Sequence, residues 1–439
     1  MNICMVSDFF YPRLGGVEAH IWFLSQGLLK RGHKVVVFTL ASGHRKGIRY
    51  MTNGLKVVYA PILPFYEGVS WPTLYAYLPL FRHLLIREEI NIVHGHQART
   101  HSNFFLHLDN SHECILFAKT MGLKVVYTDH SLFGFADAAS IPLNTLMKFT
   151  MSEVDHAIAV SNVCKENLVL RANMNPQDIS TIPNAIDSSR FVPDPSKRHP
   201  LNKVNIIIIS RLTYRKGIDL LVQVIPELCQ MFPSQLHFII GGDGNKRLLL
   251  EEMKEKHQLH DCVEMLGAVP PERVSEVLNR GHIFLNCSLT ESFCIAILEA
   301  ASCGLFVVST KVGGVPEVLP HKLMNFAEPT ASSLINAVAE SVSLVHDIEP
   351  RNLHEEVKKM YSWVSVSERT EVIYSQVLKR PTKTLYQRIQ RYPAIGGFWS
   401  QLVWAFVAVL VHLLLCFLEF VQPQSSIDIA PAFPLHMYR

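Results

Sequence analysis

The sequence carries little charge and has no block of basic residues in its main body. Charged residues make up 18% of the 439 positions, and 41 Lys and Arg against 38 Asp and Glu give a formal net charge of +3. This balance excludes the strongly basic class of nucleic-acid-binding proteins. The apolar share of 49% excludes a disordered chain. The length predicts about two to four domains.

The cysteines lack any pattern that would stabilise a small fold. There are nine of them, scattered, with no Cys-x-x-Cys pair and no Cys/His cluster at zinc spacing. A disulfide framework or structural zinc is therefore not expected, and the simplest interpretation is buried apolar thiols in a reducing compartment. Residues 1–10 also lack a basic stretch followed by a long apolar one, so we expect no secretory signal peptide there.

What the sequence does have is one long apolar run, residues 398–421, in which Glu419 is the single formal charge. As a helix rising about 1.5 Å per residue, the run would extend roughly 36 Å, enough to cross a hydrocarbon core of about 30 Å. We therefore expect a transmembrane helix. The alternative is a buried core helix.

Basic residues flank this run asymmetrically. Five of them lie in residues 379–397, ahead of the run: Lys379, Arg380, Lys383, Arg388 and Arg391. Beyond the run the only Lys or Arg is Arg439. The positive-inside rule then predicts a cytosolic N-terminal part, a basic juxtamembrane segment at 379–397 and a lumenal tail at 422–439.

Ahead of these segments, short apolar runs alternate with longer amphipathic ones in two successive halves. Apolar β-branched runs without clean alternation are typical of strands buried on both faces of a parallel sheet. Residues 186–203 are rich in proline and charge and are interpreted as a linker. The predicted fold is α/β, with doubly wound domains at 1–185 and 204–378 and a ligand between the carboxyl ends of both sheets.

The first strand-to-helix turn contains the pair Gly15-Gly16. Glycines that open a helix let backbone N–H groups approach an anion, helped by the positive end of the helix dipole. A tight turn without a ligand explains the pair equally well.

The second half opens on a cationic turn. Arg211 follows a predicted strand, and Lys216 comes just before a predicted helix at Gly217. Two cations beside a helix N-terminus suit a diphosphate whose charge grows as its sugar departs. A solvated basic turn is the alternative.

Two carboxylates follow a late strand of the second half. Glu291 and Glu299 are eight residues apart, and a helix beginning at Glu291 would place them on similar sides, about two turns apart. Glu299 lies in an apolar stretch, where a carboxylate needs a partner such as a pair of hydroxyls. The backbone N–H groups of Phe293, Cys294 and Ile295 would face the same ligand as Glu291.

Taken together, these motifs resemble the retaining glycosyltransferases of the glycosyltransferase-4 type, which have the GT-B fold. Longer blocks resemble the catalytic-subunit family of phosphatidylinositol N-acetylglucosaminyltransferase, which starts glycosylphosphatidylinositol (GPI) anchors. The matching blocks are FAKTMG (117–122), TDHSLFGFAD (128–137), TIPNAID (181–187), SRLTYRKGIDLL (210–221), GHIFLNCSLTESFCIAILEAASCG (281–304) and VGGVPEVLP (312–320). The single C-terminal apolar run also fits that family.

The resemblance assigns roles to the candidate residues. Arg211 and Lys216 would hold the diphosphate of UDP-GlcNAc, and Gly15 and Gly16 would approach its phosphates. Glu291 and the backbone of Phe293, Cys294 and Ile295 would bind the sugar hydroxyls, and Glu299 the ribose. His130 would face the reacting sugar, although a core histidine at the end of a strand is the structural alternative.

The resemblance also implies the reaction and its setting. N-acetylglucosamine would pass to phosphatidylinositol with retention of configuration and without a metal, in agreement with the lack of Asp-x-Asp among these motifs. The chain would act with other subunits in a complex of the endoplasmic reticulum membrane. Two alternatives stay open: a GT-B glycolipid transferase that uses another sugar nucleotide, and a non-catalytic membrane subunit with the same fold.

Two segments on the acceptor side are harder to interpret. Residues 62–81 are rich in aromatics and proline, which suits either docking on a bilayer or ordinary packing on the first sheet. The segment 102–113 makes this part of the chain several residues longer than is usual in the family, which indicates either a loop insertion or a faulty gene model.

Overall fold

The computed structural model describes residues 1–13, 15–61, 64–66, 69–70, 76–96, 110–132, 140–198 and 203–431. The chain divides into two compact units. The first joins Met1–Ile182 to Trp363–Arg439, and the second is Pro183–Ser362.

The first unit is built on a mostly parallel sheet, as the β-branched runs predict. The strands are β1 (Asn2–Val6), β2 (Lys34–Leu40), β3 (Gly47–Met51), β4 (Leu55–Ala60), β7 (Ile92–His96), β8 (Lys124–Asp129), β9 (His156–Ala159) and β10 (Ile179–Thr181), with a separate pair β5 (Pro64–Tyr66) and β6 (Val69–Ser70). Within the described residues the order of the sheet is β10-β9-β8-β7-β1-β2-β4-β3. The edge strand β3 pairs antiparallel with β4, which the sequence did not indicate.

Helices cover this sheet and bury their apolar faces on it. They are α1 (Gly16–Lys30), α2 (Leu78–Arg87), α3 (Asn110–Thr120), α4 (Ser140–Ser152) and α5 (Asn162–Ala172). Tyr77 and Phe81, at the start of α2, are core residues, which supports packing for this part of residues 62–81. Trp71 and Tyr75 lie outside the described residues, as do residues 102–109 of the long segment, which ends in α3.

The strands of the second unit are β11 (Val204–Ile209), β12 (Leu236–Gly241), β13 (Val263–Gly267), β14 (Ile283–Asn286), β15 (Phe306–Thr310) and β16 (Met324–Ala327). They form a fully parallel sheet of order β13-β12-β11-β14-β15-β16. Its helices are α6 (Ile218–Met231), α7 (Arg247–Lys256), α8 (Val274–Leu278), α9 (Ile295–Ser302), α10 (Ala331–Leu344) and α11 (Pro350–Met360). The two successive α/β halves are therefore confirmed.

The two compact units differ from the predicted domain boundaries in two places. The described part of the predicted linker, residues 186–198 and 203, belongs to the second unit: the Asp194 N–H donates to Asn279 Oδ1 at 2.8 Å and Arg198 donates to the Cys303 carbonyl at 2.6 Å. The second difference concerns helix α12 (Trp363–Lys379), most of which falls in the predicted domain 204–378. It belongs to the first unit, where its Glu371 carboxylate lies 2.5 Å from Nε of Arg31, the residue that caps the C-terminal end of α1.

The chain ends in α13 (Leu385–Ile389) and α14 (Pro393–Val421). Residues Gly397–Val421 of α14 are long and apolar enough to cross a membrane, as the run at 398–421 predicts. Beyond the helix, the Ala430 N–H donates to the Arg87 carbonyl of α2 at 2.8 Å. This part of the tail therefore lies on the first unit, and the lumenal placement of the tail stays a prediction.

Candidate functional site

In the second unit, the candidate residues lie where three neighbouring strands end. Strand β14 pairs in parallel with both β11 and β15, so their carboxyl ends share one edge of the sheet. Lys216 lies in the loop after β11, and Glu291 lies in the loop after β14. The structure thus brings together two side chains that are 75 positions apart.

Gly217 allows the cationic turn to dock on the loop that carries Glu291. Its φ is +71°, and a Cβ built there would lie 1.8 Å from the Cys287 carbonyl oxygen, which no other residue type could tolerate. The Leu289 N–H also donates to the Arg215 carbonyl at 2.8 Å. Backbone contacts therefore fix the turn against the end of β14.

Lys216 and Glu291 form a partly buried ion pair. Burial by itself lowers the pKa of Lys216, but the Glu291 carboxylate outweighs it and leaves that pKa above its usual value. The ammonium therefore stays charged in a site largely removed from water.

Polar groups from the ends of β14 and β15 support the Glu291 carboxylate. The Ser288 hydroxyl lies 2.8 Å from Glu291 Oε1 and 2.8 Å from Asn286 Oδ1. Asn286 donates in turn to the Ser309 hydroxyl at 2.9 Å. The Gly314 N–H donates to the Glu291 carbonyl at 2.9 Å. The glycine turn after β15 thus braces the loop that carries Glu291.

Two arginines accompany Lys216 in the loop after β11. Arg211 is exposed, directly past the strand end. Arg215 is partly buried; burial lowers its pKa, and the nearby Glu291 charge opposes that effect. Sequence reasoning missed Arg215, although its place beside Lys216 in the same basic turn was a usable signal.

Helix α9 corrects the predicted relation between the two carboxylates. It begins only at Ile295, so Glu291 lies in the preceding loop and the two-turn spacing does not apply. Cys294 caps the helix with a left-handed backbone, at φ +72°. The Phe293 side chain is buried against Tyr361, with ring centroids 5.8 Å apart, so only its backbone remains available to a ligand.

Glu299 has a different environment from Glu291. Burial raises its pKa to about 7, and the charge of Arg190 opposes that shift. Burial also raises the pKa of the Cys294 thiol to about 12, so this cysteine is not a nucleophile at neutral pH. Of the two carboxylates, Glu291 is the one with a cationic partner at hydrogen-bond distance.

In the first unit, the glycine pair opens helix α1 as predicted. Gly15 caps the helix with an extended backbone and Gly16 is its first residue; both are exposed. The first turn also contains Glu18, whose charge disfavours an anion at this end. The geometry is thus compatible both with a turn that binds an anion and with a tight turn that binds no ligand.

His130 belongs to a cluster of four histidines that sequence reasoning did not assemble. It follows β8, while His94 and His96 end the neighbouring strand β7 and His20 lies on α1. His96 Nδ1 lies 3.3 Å from His130 Nε2, and the His20 and His130 ring centroids are 4.7 Å apart. Burial, reinforced by the neighbouring imidazoles, lowers the pKa of His94, His96 and His130 well below its usual value. These rings are neutral at physiological pH.

Helix α12 supports this cluster from the C-terminal part of the chain. The Tyr374 hydroxyl lies 2.6 Å from His94 Nδ1, and His94 Nε2 lies 2.7 Å from the Thr128 hydroxyl. Trp363 packs edge-on against His20, with ring centroids 5.3 Å apart. The strand-end histidines are therefore held by a helix that follows the entire second unit in the sequence.

Three of these histidines could hold a metal ion. Nitrogens of His20, His96 and His130 all lie within 4.8 Å of one another. Neutral imidazole is the form that binds metals, and burial favours it in His96 and His130 by lowering the pKa of each. The resemblance predicts transfer without a metal, and that expectation stays a prediction.

Two family models match the chain. The first, described as "PIGA (GPI anchor biosynthesis)", covers residues 40–137, and the second, "Glycosyl transferases group 1", covers residues 193–360. The matches fall on the first and second units respectively.

Full-length relatives and a solved structure resemble the chain. A relative from Arabidopsis thaliana, named as a phosphatidylinositol N-acetylglucosaminyltransferase subunit, is 50% identical, over 100% of this chain and 96% of its own length. The Homo sapiens protein of the same name is 49% identical, over 98% of this chain and 87% of its own length. The structure of sucrose-phosphate synthase from Thermosynechococcus elongatus superposes with a TM-score of 0.71 at 17% identity, covering 86% of this chain and 98% of that one. This last likeness shows the GT-B fold.

Proposed function

The chain belongs to the PIGA family of phosphatidylinositol N-acetylglucosaminyltransferase subunits, and we propose that it transfers N-acetylglucosamine from UDP-GlcNAc to phosphatidylinositol, the first step of GPI anchor biosynthesis. Identity of 50% along the whole chain carries this proposal. The assembled pair of Lys216 and Glu291 supports it, because a chain that had lost catalysis would have no need to keep a desolvated ion pair in this position.

The donor's diphosphate binds at the loop after β11. Lys216, Arg211 and Arg215 supply positive charge there, and the charge of the leaving diphosphate grows as its bond to the sugar breaks. Before the donor arrives, Glu291 neutralises Lys216. The diphosphate competes for the ammonium, which leaves the Glu291 carboxylate to accept hydrogen bonds from the sugar hydroxyls.

The remaining candidate residues orient the two substrates. Glu299 accepts from the ribose hydroxyls, a partner that offsets the cost of ionising a carboxyl whose pKa is about 7. Neutral His130 offers a ring nitrogen to the reacting sugar. The acceptor hydroxyl attacks on the face from which the diphosphate leaves and gives its proton to the leaving phosphate oxygen, so configuration is retained without a protein nucleophile.

The reaction takes place in a membrane complex and without a metal. The relatives are named as subunits, which supports assembly with further proteins. The apolar helix Gly397–Val421 supports attachment to a membrane, which we place at the cytosolic face of the endoplasmic reticulum. Cationic side chains take the part that a divalent cation would have at the diphosphate.

The test uses cells that lack their own copy of this subunit, so that the other subunits are present. Membranes from cells expressing the wild-type chain, Glu291→Ala or Glu251→Ala are assayed for transfer of labelled GlcNAc from UDP-GlcNAc to phosphatidylinositol. Glu251 is the matched control, since it pairs with Arg247 at 2.7 Å on the exposed face of α7. We expect transfer by the wild type and the control only.

Other results would change the proposal in different ways. No transfer by any stably assembled chain would indicate another sugar nucleotide or a non-catalytic subunit, and a panel of labelled donors separates these two. Equal transfer by the wild type and Glu291→Ala would refute the role of Glu291 and leave the reaction intact.

A further inference from the structure

Two aromatic residues follow strand β1, in a loop that is attached to the sheet. Phe9 is buried, and the Tyr59 hydroxyl of β4 donates to the Tyr11 carbonyl at 2.7 Å. The Thr39 hydroxyl of β2 donates to the Asp8 carbonyl at 3.3 Å. Bonds to two neighbouring strands therefore fix the backbone that carries both rings.

Each of the two rings carries an arginine guanidinium. The guanidinium carbon of Arg13 lies 4.5 Å from the centroid of the Phe9 ring, and that of Arg45 lies 4.5 Å from the centroid of the Tyr11 ring. Stacking on an aromatic face orients a guanidinium and leaves the N–H groups at its rim for other partners. Arg13 follows β1 and Arg45 follows β2, and these strands pair in parallel. Both cations therefore belong to the carboxyl edge of the first unit's sheet.

Arg45 is held in place without an acidic partner. Its backbone exchanges two hydrogen bonds with Ser42, at 3.2 and 3.0 Å. Its side chain forms no ion pair with any residue that the structure describes. The next residue, Lys46, is exposed and adds a second positive charge to this loop. A fixed guanidinium that is not neutralised by a carboxylate is suited to bind an oxyanion.

The start of helix α1, at the same edge, is a poor place for an anion. Glu18 folds back over it, since a Cβ built on Gly15 would lie 2.5 Å from Glu18 Oε2. The carboxylate thus occupies the positive end of the helix dipole and repels a second negative charge. An anion bound at this edge needs the side-chain cations instead.

We propose that Arg45, together with Lys46 and Arg13, binds the phosphodiester of the lipid acceptor. The proposal rests on the proposed function, under which the acceptor is phosphatidylinositol, whose phosphodiester is bonded directly to the inositol ring. His96 ends β7 and His130 follows β8, so both lie at this same edge of the sheet. A phosphodiester held by these cations brings the inositol ring to the edge where His130 serves the reacting sugar.

This site positions the acceptor and takes no part in the bond changes. The phosphodiester has the same charge before and after transfer, so a contact with it stabilises the bound acceptor and the transition state alike. Loss of that contact should therefore raise the KM for the acceptor and leave kcat unchanged.

Binding of a soluble headgroup tests the site independently of transfer. Glycerophosphoinositol is titrated, with and without UDP, against the purified complex that contains the wild-type chain, Arg45→Gln or Arg351→Gln. Arg351, exposed on α11 of the second unit, is the matched control. We expect about tenfold weaker binding in Arg45→Gln alone, because a charge-assisted hydrogen bond is lost, and no difference among the three for neutral myo-inositol. Equal binding of glycerophosphoinositol by all three would overturn the proposal.

A second headgroup separates the acceptor from other anionic lipids. Glycerophosphoglycerol has the same phosphodiester without the inositol ring. At a site that belongs to the acceptor, it should compete at least tenfold less well than glycerophosphoinositol. Equal competition would show a general site for anionic phospholipids and overturn the assignment to the acceptor.

Kinetics with a neutral acceptor test the predicted effect on KM. The complex is assayed with dioctanoyl phosphatidylinositol and with its methyl phosphotriester, which has no charge. In the wild type, methylation should raise the acceptor KM about tenfold, whereas Arg45→Gln should give the same raised KM with both acceptors. An unchanged kcat and KM for UDP-GlcNAc would show that the variant is folded. A wild type with equal KM for both acceptors would contradict the proposal. A wild type that transfers nothing would refute the proposed function, and the headgroup titration would still decide the site.

Discussion

At the residue scale, the second unit concentrates its chemistry in one salt bridge. Lys216 and Glu291 are each only partly exposed; the Ser288 hydroxyl donates to the Glu291 carboxylate, and the Gly314 N–H donates to the Glu291 backbone carbonyl. A partly buried pair with fixed supports is preorganised, so under the proposed function Lys216 needs little rearrangement to meet the charge of the diphosphate. Two predictions concern individual residues of this unit.

Replacing Lys216 should abolish most activity. In Lys216→Ala the diphosphate loses its buried cation, and Glu291 keeps a charge that repels the donor, so transfer should fall about 100-fold or more. The measurement is transfer in membranes at saturating UDP-GlcNAc, with Lys358→Ala as the control, since Lys358 pairs with Glu355 at 3.6 Å on the exposed side of α11. Activity within a few-fold of the control would contradict the role given to Lys216.

Glu299 should make stability depend on pH in a defined direction. Its folded-state pKa of about 7 lies above the ordinary value of 4.5, so it contributes stability in acid that is lost as pH rises from 4.5 through 7. In Glu299→Gln this contribution is absent. The difference in melting temperature, Glu299→Gln minus wild type, should therefore increase by a few degrees from pH 5 to pH 7.5 and stay constant at higher pH. A constant difference across that range would refute the raised pKa.

At the element scale, helix α12 connects the end of the second unit's sequence to the core of the first. Its Tyr374 is fully buried and meets His94, and its Trp363 meets both His20 and Phe23. The helix thereby supports the histidine cluster that contains His130. Helix α12 therefore lines one side of the histidine cluster, which is the candidate site of the first unit.

Removing the Tyr374 hydroxyl should destabilise the first unit. Tyr374→Phe leaves His94 Nδ1 buried without its partner, which costs about 1–3 kcal/mol of unfolding free energy. Chemical denaturation of the purified chain measures this, and Val372→Ala, on the exposed side of the same helix, is the control. If the cluster positions His130, kcat falls in the same variant while the KM for UDP-GlcNAc stays unchanged. Unaltered stability would show that the hydrogen bond contributes nothing.

The elements that local patterns specify were predictable, and those that depend on distant contacts were not. Apolar β-branched runs located most strands of both sheets, since burial on both faces leaves a direct mark on composition. Nothing local in residues 363–379 tells which sheet receives that helix. The histidine cluster escaped for the same reason, because His96 and His130 come together only once β7 and β8 are paired.

At the scale of the whole molecule, each unit supplies a different kind of chemistry. The second unit offers the cations Lys216, Arg211 and Arg215, as an anionic donor requires. The first unit offers neutral imidazoles and carries the apolar helix α14. Under the proposed function, the second unit serves the donor and the first unit serves the lipid acceptor. The two units give opposite indications about a metal ion: the second unit's cations make one unnecessary at the diphosphate, whereas three histidines of the first unit could hold one.

Treatment with a chelator tests whether the transfer reaction uses a metal ion. If side-chain cations meet the charge of the diphosphate, membranes treated with EDTA or phenanthroline and then washed should transfer GlcNAc at the untreated rate. A metal held by His20, His96 and His130 would instead give a loss of transfer that added Zn²⁺ or Mn²⁺ restores. His20→Gln would then lower the activity and reduce the metal that copurifies with the chain. That combined result would replace the metal-independent proposal with a metal-dependent one centred on the first unit.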